Sequence, residues 1–192
     1  MVEYRFFEDG TTPFVSTTEF HVRRARAPHL EQPDHTGRLH KVAEVVRAFH
    51  PRSVVDLGCG DGGLLSLLKD IPSHGYDFQL SNIDGWTDRQ VTARSLDFVA
   101  HPDEIVWGEL VTITEVLEHV ADPHGLVKLI SYNARYIVAS SPCGETPEHH
   151  AEEHAWGWDM DGYQALFDPD WIVLSHFKLD WCQILTARSK NL

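Results

Sequence analysis

The stretch Ser53-Val-Val-Asp-Leu57, followed at once by Gly58-Cys-Gly-Asp-Gly-Gly63 and then a Leu-rich run to Leu68, constrains the fold more than any other part of the chain. Five residues dominated by Val and Leu read as a short buried strand, and the stretch after the glycines opens a helix. Between them, Gly58 and Gly60 allow a tight turn and a close approach of backbone to a ligand, because no Cβ intervenes. The helix that starts near Gly63 offers N–H groups without intrahelical partners, which suits a polar ligand. A strand, a glycine turn and a helix in this order belong to a parallel sheet with right-handed crossovers.

The alternation continues downstream. Residues 74–77 end a second strand, 91–96 form a weak third, 110–114 a fourth and 135–140 a fifth, with helices over 123–133 and 159–167. The last two strands, 171–178 and 181–187, are separated only by Leu179 and Asp180 and must form an antiparallel hairpin. Upstream, Asp34 is the expected N-cap of a helix running to Phe49, with Leu39, Val42, Val46 and Phe49 on one face, and Pro51 ends it. Residues 1–32 stand apart. Tyr4–Phe7 and Pro13–Val15 read as a hairpin about an Asp-Gly turn, followed by a basic stretch from His21 to His29. The expectation is an α/β fold with a doubly wound, mostly parallel sheet of seven strands and an antiparallel C-terminal hairpin. Residues 1–192 form one domain, with 51–192 as catalytic core and 1–50 as an N-terminal lid on the substrate side.

Bulk properties narrow the function. The chain has 192 residues, enough for one α/β domain, and its 42% hydrophobic content marks a folded protein. No apolar run approaches the ~20 residues of a membrane-spanning helix. The first ten residues lack the basic and apolar regions of a secretory signal. Cys59, Cys143 and Cys182 are odd in number and unpaired in spacing, so they read as reduced thiols in a cytoplasmic protein. The formal net charge of −13 argues against a nucleic-acid partner, since the basic cluster Arg23, Arg24 and Arg26 is a local exception. A small-molecule acceptor is expected, with no membrane partner; oligomeric state is left open.

Val54-Val-Asp-Leu-Gly-Cys-Gly-Asp-Gly62 resembles motif I of class I S-adenosylmethionine-dependent methyltransferases, where an acid lies just before the glycines. Hydride-transferring Rossmann domains space their glycines G-x-G-x-x-G, and Gly63 satisfies that pattern too, so the segments downstream must separate the two. Leu110-Val-Thr-Ile-Thr-Glu-Val-Leu-Glu-His-Val-Ala-Asp-Pro123 looks like the fourth strand and following loop of the methyltransferase group that includes the ubiquinone-biosynthesis O-methyltransferases. An NAD oxidoreductase offers no account of that segment. The resemblance implies S-adenosylmethionine as cofactor, held by Asp56, Gly58, Cys59, Gly60 and Asp61 at the turn. Asp77 would accept both ribose hydroxyls, with Phe78 beside it. Asp97 matches the acid near the adenine amino group, Phe98 would pack on the adenine, and Thr114 and Glu115 lie toward the methionine end.

Glu115, Glu118 and His119 would share one face if their turn is helical, and His154 follows in Glu148-His-His-Ala-Glu-Glu-His-Ala-Trp-Gly-Trp158. In the expected metal-free chemistry His119 or His154 is the general base for an acceptor hydroxyl, and the two glutamates line the pocket. The same unit resembles that of metal-dependent small-RNA 2′-O-methyltransferases, and by that resemblance Glu115, Glu118, His119 and His154 would ligate Mg²⁺ or Mn²⁺. Metal is not the expected outcome, because metal-free relatives share the Glu-x-x-Glu-His unit. A non-catalytic cofactor-binding partner subunit is a further reading, opposed by the intact set of pocket acids and His119. His149 and His150 read as solvated loop, Trp156 and Trp158 as core, and Cys143 as an inert thiol near the pocket mouth. The expected reaction is methyl transfer to an oxygen of a small molecule.

Overall fold

A computed structural model of the chain describes residues 1–7 and 18–192, with 18, 20 and 21 described by backbone alone. The strands of the main sheet are β2 (Val54–Leu57), β3 (Ser73–Asp77), β4 (Ala93–Ser95), β5 (Leu110–Thr114), β6 (Tyr136–Pro142), β8 (Trp171–Leu179) and β9 (Cys182–Ser189). Their order is β4-β3-β2-β5-β6-β9-β8. The first five run parallel, while β9 is antiparallel to both β6 and β8. The seven strands, the mostly parallel pairing and the C-terminal hairpin are those expected.

Strand alternation divides the core into two layers, because successive side chains leave opposite faces of a strand. Val54, Leu110, Val138 and Ile184 face helix α2 (Pro33–Ala48), whose Leu39, Val42, Ala43 and Val46 cover them. Val55, Leu57, Val111, Ile113, Ile137, Ala139 and Leu185 face the other way. There they meet α5 (Pro123–Ser131) and α6 (Met160–Phe167) through Leu126, Val127, Ile130, Tyr163, Leu166 and Phe167. Both faces of β2 and β5 are therefore buried, which explains their apolar runs. Helix α2 begins one residue ahead of the expected Asp34 cap, with Pro33 in its first turn and Gln32 at the N-cap.

Of the expected N-terminal hairpin, the turn and the second arm lie outside the described residues; the first arm, β1 (Glu3–Arg5), pairs antiparallel with β7 (Trp156–Trp158). The reason is local chemistry at the far partner. Glu3 Oε2 accepts from Trp158 Nε1 at 2.9 Å, and the Arg5 guanidinium lies 5.2 Å from the Trp156 ring centroid. Gly157 leaves room for Phe6, whose ring would lie 2.5 Å from a Cβ there. Helix α3 (Gly63–Leu67) follows the glycine turn, and two short helices carry no periodic signal, α1 (Thr18–Arg23) and α4 (Ile83–Arg89). Among the described residues no helix is long and apolar enough to cross a membrane.

Candidate active site

A cavity of about 450 Å³ opens at the carboxyl ends of β2, β3 and β5, where parallel sheets of this kind bind ligands. Its wall includes the turn after β2. Gly58 N and Cys59 N donate to the Tyr76 carbonyl at 2.8 and 3.1 Å, and Gly60 N donates to Asp77 Oδ2 at 2.9 Å. Gly58 sits at φ 76°, and a Cβ there would lie 2.3 Å from Val116 Cγ2, so only glycine fits between β2 and the segment after β5.

Of the expected cofactor residues, Asp56, Gly58, Cys59, Gly60, Asp61, Asp77, Phe78, Asp97, Phe98, Thr114 and Glu115 all line this cavity. Several do so on terms the sequence did not reveal. Asp77 also braces the protein: its Oδ1 accepts from Gln79 N at 2.8 Å and Asn82 Nδ2 at 3.2 Å. The Asp61 carboxylate is buried but turned to Arg89, with Nη2 at 2.7 Å, and to Arg26 Nε at 3.3 Å, so its side chain is a structural node. The Cys59 thiol packs with Leu65 and Trp86 and leaves only backbone for a ligand; burial pushes its pKa well up. Asp97 Oδ1 accepts from Ala100 N at 3.1 Å, and Phe98 is buried beside it. Cys143 is not among the lining residues.

Asp56 is buried, accepts from Thr112 Oγ1 at 2.7 Å, and is pushed up to about 7 by burial. The folded state therefore holds a proton here that the unfolded chain releases near the ordinary carboxylate pKa of ~4. The stability Asp56 contributes is present below that value and lost as pH rises through about 7. His29 works in the opposite sense. Burial, then His35 and Arg38, lowers it to about 4, so its contribution is lost as pH falls through that value. Asp56→Asn is expected to flatten the fall in melting temperature between pH 4 and 7 relative to the parent, read by thermal unfolding across pH; an unchanged slope difference refutes the assignment.

The acidic cluster departs from the expected geometry. Glu115 has φ 55°, and residues 117–119 form a single 3₁₀ turn, so Glu115, Glu118 and His119 do not share a helix face. Glu115 Oε1 accepts from Ser140 Oγ at 2.7 Å and lies 3.9 Å from Arg38 Nη1. Burial raises its pKa while Arg38 opposes the rise. Glu118 is fully buried, and neither carboxyl oxygen has a hydrogen-bond partner. Burial, then the charge of Glu115, holds its pKa well above the usual carboxylate range. Among the described residues, Glu118, His119 and His154 form a group whose donor atoms all lie within 4.8 Å of one another, and Glu115 is not in it. His119 lines the cavity, with Nδ1 3.1 Å from the Glu153 carbonyl. His154 lies behind it, ring centroids 4.7 Å apart and edge-on, with Nδ1 2.7 Å from Glu145 Oε2. His150 is not simply solvated: it stacks on Phe6 at 3.9 Å.

Sequence reasoning missed Arg38. It is 4% exposed, lines the cavity, and has Nε and Nη1 without hydrogen-bond partners. A signal was present, since Arg38 stands four residues before Val42 and so borders the buried stripe of α2. A buried cation with unmade hydrogen bonds beside a ligand cavity marks a place for an anion.

Solved structures share this arrangement of strands. The N-methyltransferase NodS from Bradyrhizobium japonicum WM9, in complex with S-adenosyl-L-homocysteine, superposes with a TM-score of 0.71 at 11% identity, over 90% of this chain and 96% of that one. Magnesium protoporphyrin IX methyltransferase from Synechocystis PCC 6803, with the same ligand, gives 0.65 at 15% identity, over 81% and 84%. The methyltransferase domain of bacterial CtHen1-C gives 0.64 at 18%, over 79% and 96%. A comparison with curated proteins by sequence gives no significant match. These superpositions define the fold as the Rossmann-like fold of class I methyltransferases. Residues 34–189 match the family described as Methyltransferase domain, and the chain belongs to that family of S-adenosylmethionine-dependent enzymes.

Proposed function

We propose that this enzyme methylates a hydroxyl of a small molecule, as in the ubiquinone-biosynthesis type of O-methyltransferase, with His119 as general base. The observation that carries the reading is that His119 lines the same cavity as the Gly58–Gly60 turn and Asp77. S-adenosylmethionine supplies the electrophilic methyl group. This chain's residues bind and orient: Asp97 and Phe98 at the adenine end, Asp77 at the ribose, and Arg38 with Glu115 at the charged amino-acid end. A carbonyl oxygen can only accept, so in the contact to Glu153 the neutral His119 ring donates from Nδ1, which supports Nε2 as the nitrogen that takes a hydroxyl proton. Residues 1–50 serve as the lid through their part nearest the cavity: Ala25, Ala27 and His29 line it, and Gln79 Nε2 and Ser81 Oγ donate to the Arg24 carbonyl.

A second reading has its own observation, the unpartnered buried carboxyl of Glu118 beside two imidazoles. One carboxylate and two histidines suit a divalent ion, whose charge would favour the ionised carboxylate that burial disfavours at Glu118. Glu118, His119 and His154 would hold it, with Glu115 excluded, and a nucleotide or nucleic-acid hydroxyl becomes the acceptor to test. One experiment separates the readings. Methyl transfer from radiolabelled S-adenosylmethionine to a panel of hydroxyl and amine acceptors is measured with and without chelator. The first reading expects no chelator effect, and a loss of about 10²- to 10⁴-fold in His119→Gln with S-adenosylhomocysteine binding intact. Loss with chelator and recovery with Mn²⁺, together with an inactive Glu118→Gln, assigns the metal instead.

A further inference from the structure

We propose that Glu145 is a positioning residue of the active site, which holds His154 in the tautomer whose lone pair is on Nε2. The inference deepens the second reading above, because it rests on His154 serving the site beside Glu118 and His119. Glu145 lies in the loop between β6 and β7. Its side chain is 16% exposed and that of His154 11%, so their 2.7 Å contact is largely shielded from water. A carboxylate only accepts, so the hydrogen of the contact belongs to His154 Nδ1, and the neutral ring keeps its lone pair on Nε2. The second carboxylate oxygen accepts from Ala151 N at 3.0 Å, which ties Glu145 to the turn that carries His154.

The same loop treats the other imidazole alike. His119 Nδ1 meets the Glu153 carbonyl at 3.1 Å, so both rings are held through Nδ1 by groups of residues 145–153. The rings stand edge-on, 83° apart, and Ala155 N donates to the Glu118 carbonyl at 2.7 Å, closing the loop onto the acidic turn. General base or metal ligand, the histidine that serves the site does so through the nitrogen that lacks the proton, and Glu145 determines which nitrogen that is in His154.

The test reads the tautomer directly. Two-bond ¹H–¹⁵N correlation spectra of the full-length protein are recorded with S-adenosylhomocysteine, at a pH where the ring is neutral. In the parent, His154 is expected to show a protonated Nδ1 and a lone-pair Nε2. In Glu145→Gln a single amide oxygen cannot serve both Ala151 N–H and His154 Nδ1–H. Ala151 N–H cannot turn acceptor whereas the imidazole can move its proton, so the amide oxygen stays with Ala151, the –NH₂ group faces His154 Nδ1, and the tautomer ratio should move toward Nε2–H by about tenfold, the worth of one hydrogen bond. Glu145→Asp, which keeps the carboxylate, should restore part of the parent ratio. S-adenosylhomocysteine binding should be unchanged in both, since Glu145 does not line the cofactor cavity. A parent His154 with its lone pair on Nδ1, or a Glu145→Gln spectrum identical to the parent, overturns the proposal. If Glu145→Gln does not fold, the parent spectrum and Glu145→Asp still decide. Failure of the parent to bind S-adenosylhomocysteine would instead count against the proposed function, independently of the tautomer.

Discussion

Asp77→Ala is expected to weaken S-adenosylhomocysteine binding by about 2 to 4 kcal/mol, or ~30- to 1,000-fold, because two ribose hydroxyls lose a charged acceptor. The structure adds a second consequence. The same carboxylate receives Gly60 N, Gln79 N and Asn82 Nδ2, so its removal also leaves the glycine turn unbraced. Melting temperature should therefore fall along with affinity, which a purely ligand-facing acid would not show. Calorimetry gives the first quantity and thermal unfolding the second. An alanine variant that binds normally would reduce Asp77 to an internal brace. Asp77→Asn should lie between, since an amide oxygen can still receive Gly60 N while the –NH₂ group opposes Gln79 N.

Arg38→Met should separate binding from stability in the opposite way. Without a ligand the guanidinium is buried with two donor atoms unsatisfied, a condition that costs free energy in the folded state. A Met of similar length removes that cost but leaves the buried Glu115 carboxyl, 3.9 Å away, without its cation, so the two effects oppose each other and the unliganded variant should melt near the parent temperature. Binding of S-adenosylhomocysteine should drop by about 2 to 5 kcal/mol, because its carboxylate then enters a buried site with no cation. The comparison ligand is 5′-methylthioadenosine, which lacks the amino-acid end and should bind parent and variant equally. If the two ligands lose affinity together, Arg38 supports the pocket's shape rather than the carboxylate. If neither does while acceptor KM rises, the guanidinium serves an anionic acceptor.

The parts of this molecule that were legible in its sequence are those whose signal is local. Apolar runs and short connections gave β2, β5, β6 and the β8–β9 hairpin, since a parallel strand buried on both faces is mostly apolar and a two-residue connection admits one pairing. The glycine turn was legible because positive φ at Gly58 and Gly60 demands glycine. What stayed hidden depends on partners far apart in the chain. Nothing near Glu3 announces Trp158 as its partner, and nothing in Asp61 separates a ligand-facing acid from one held by Arg26 and Arg89. The geometry of Glu115 escaped because a non-glycine residue at φ 55° bends the segment where periodicity would continue a helix. Arg38 was passed over because helical reading weighs apolar positions, and the charge at the edge of the stripe is the informative one.

The pairing of β1 with β7 makes one mechanical body of two segments that are remote in the chain. Phe6 N donates to the Ala155 carbonyl, the Phe6 ring stacks on His150, and Arg24 Nη1 lies 3.9 Å from Glu153. The N-terminal segment therefore leans on the same loop that holds the His119 and His154 rings. Displacing either segment would break the strand pairing, the Phe6–His150 stack and the Phe6 N–Ala155 bond together. These contacts fall on both segments at once, so a sequence change in either has to be accommodated by the other.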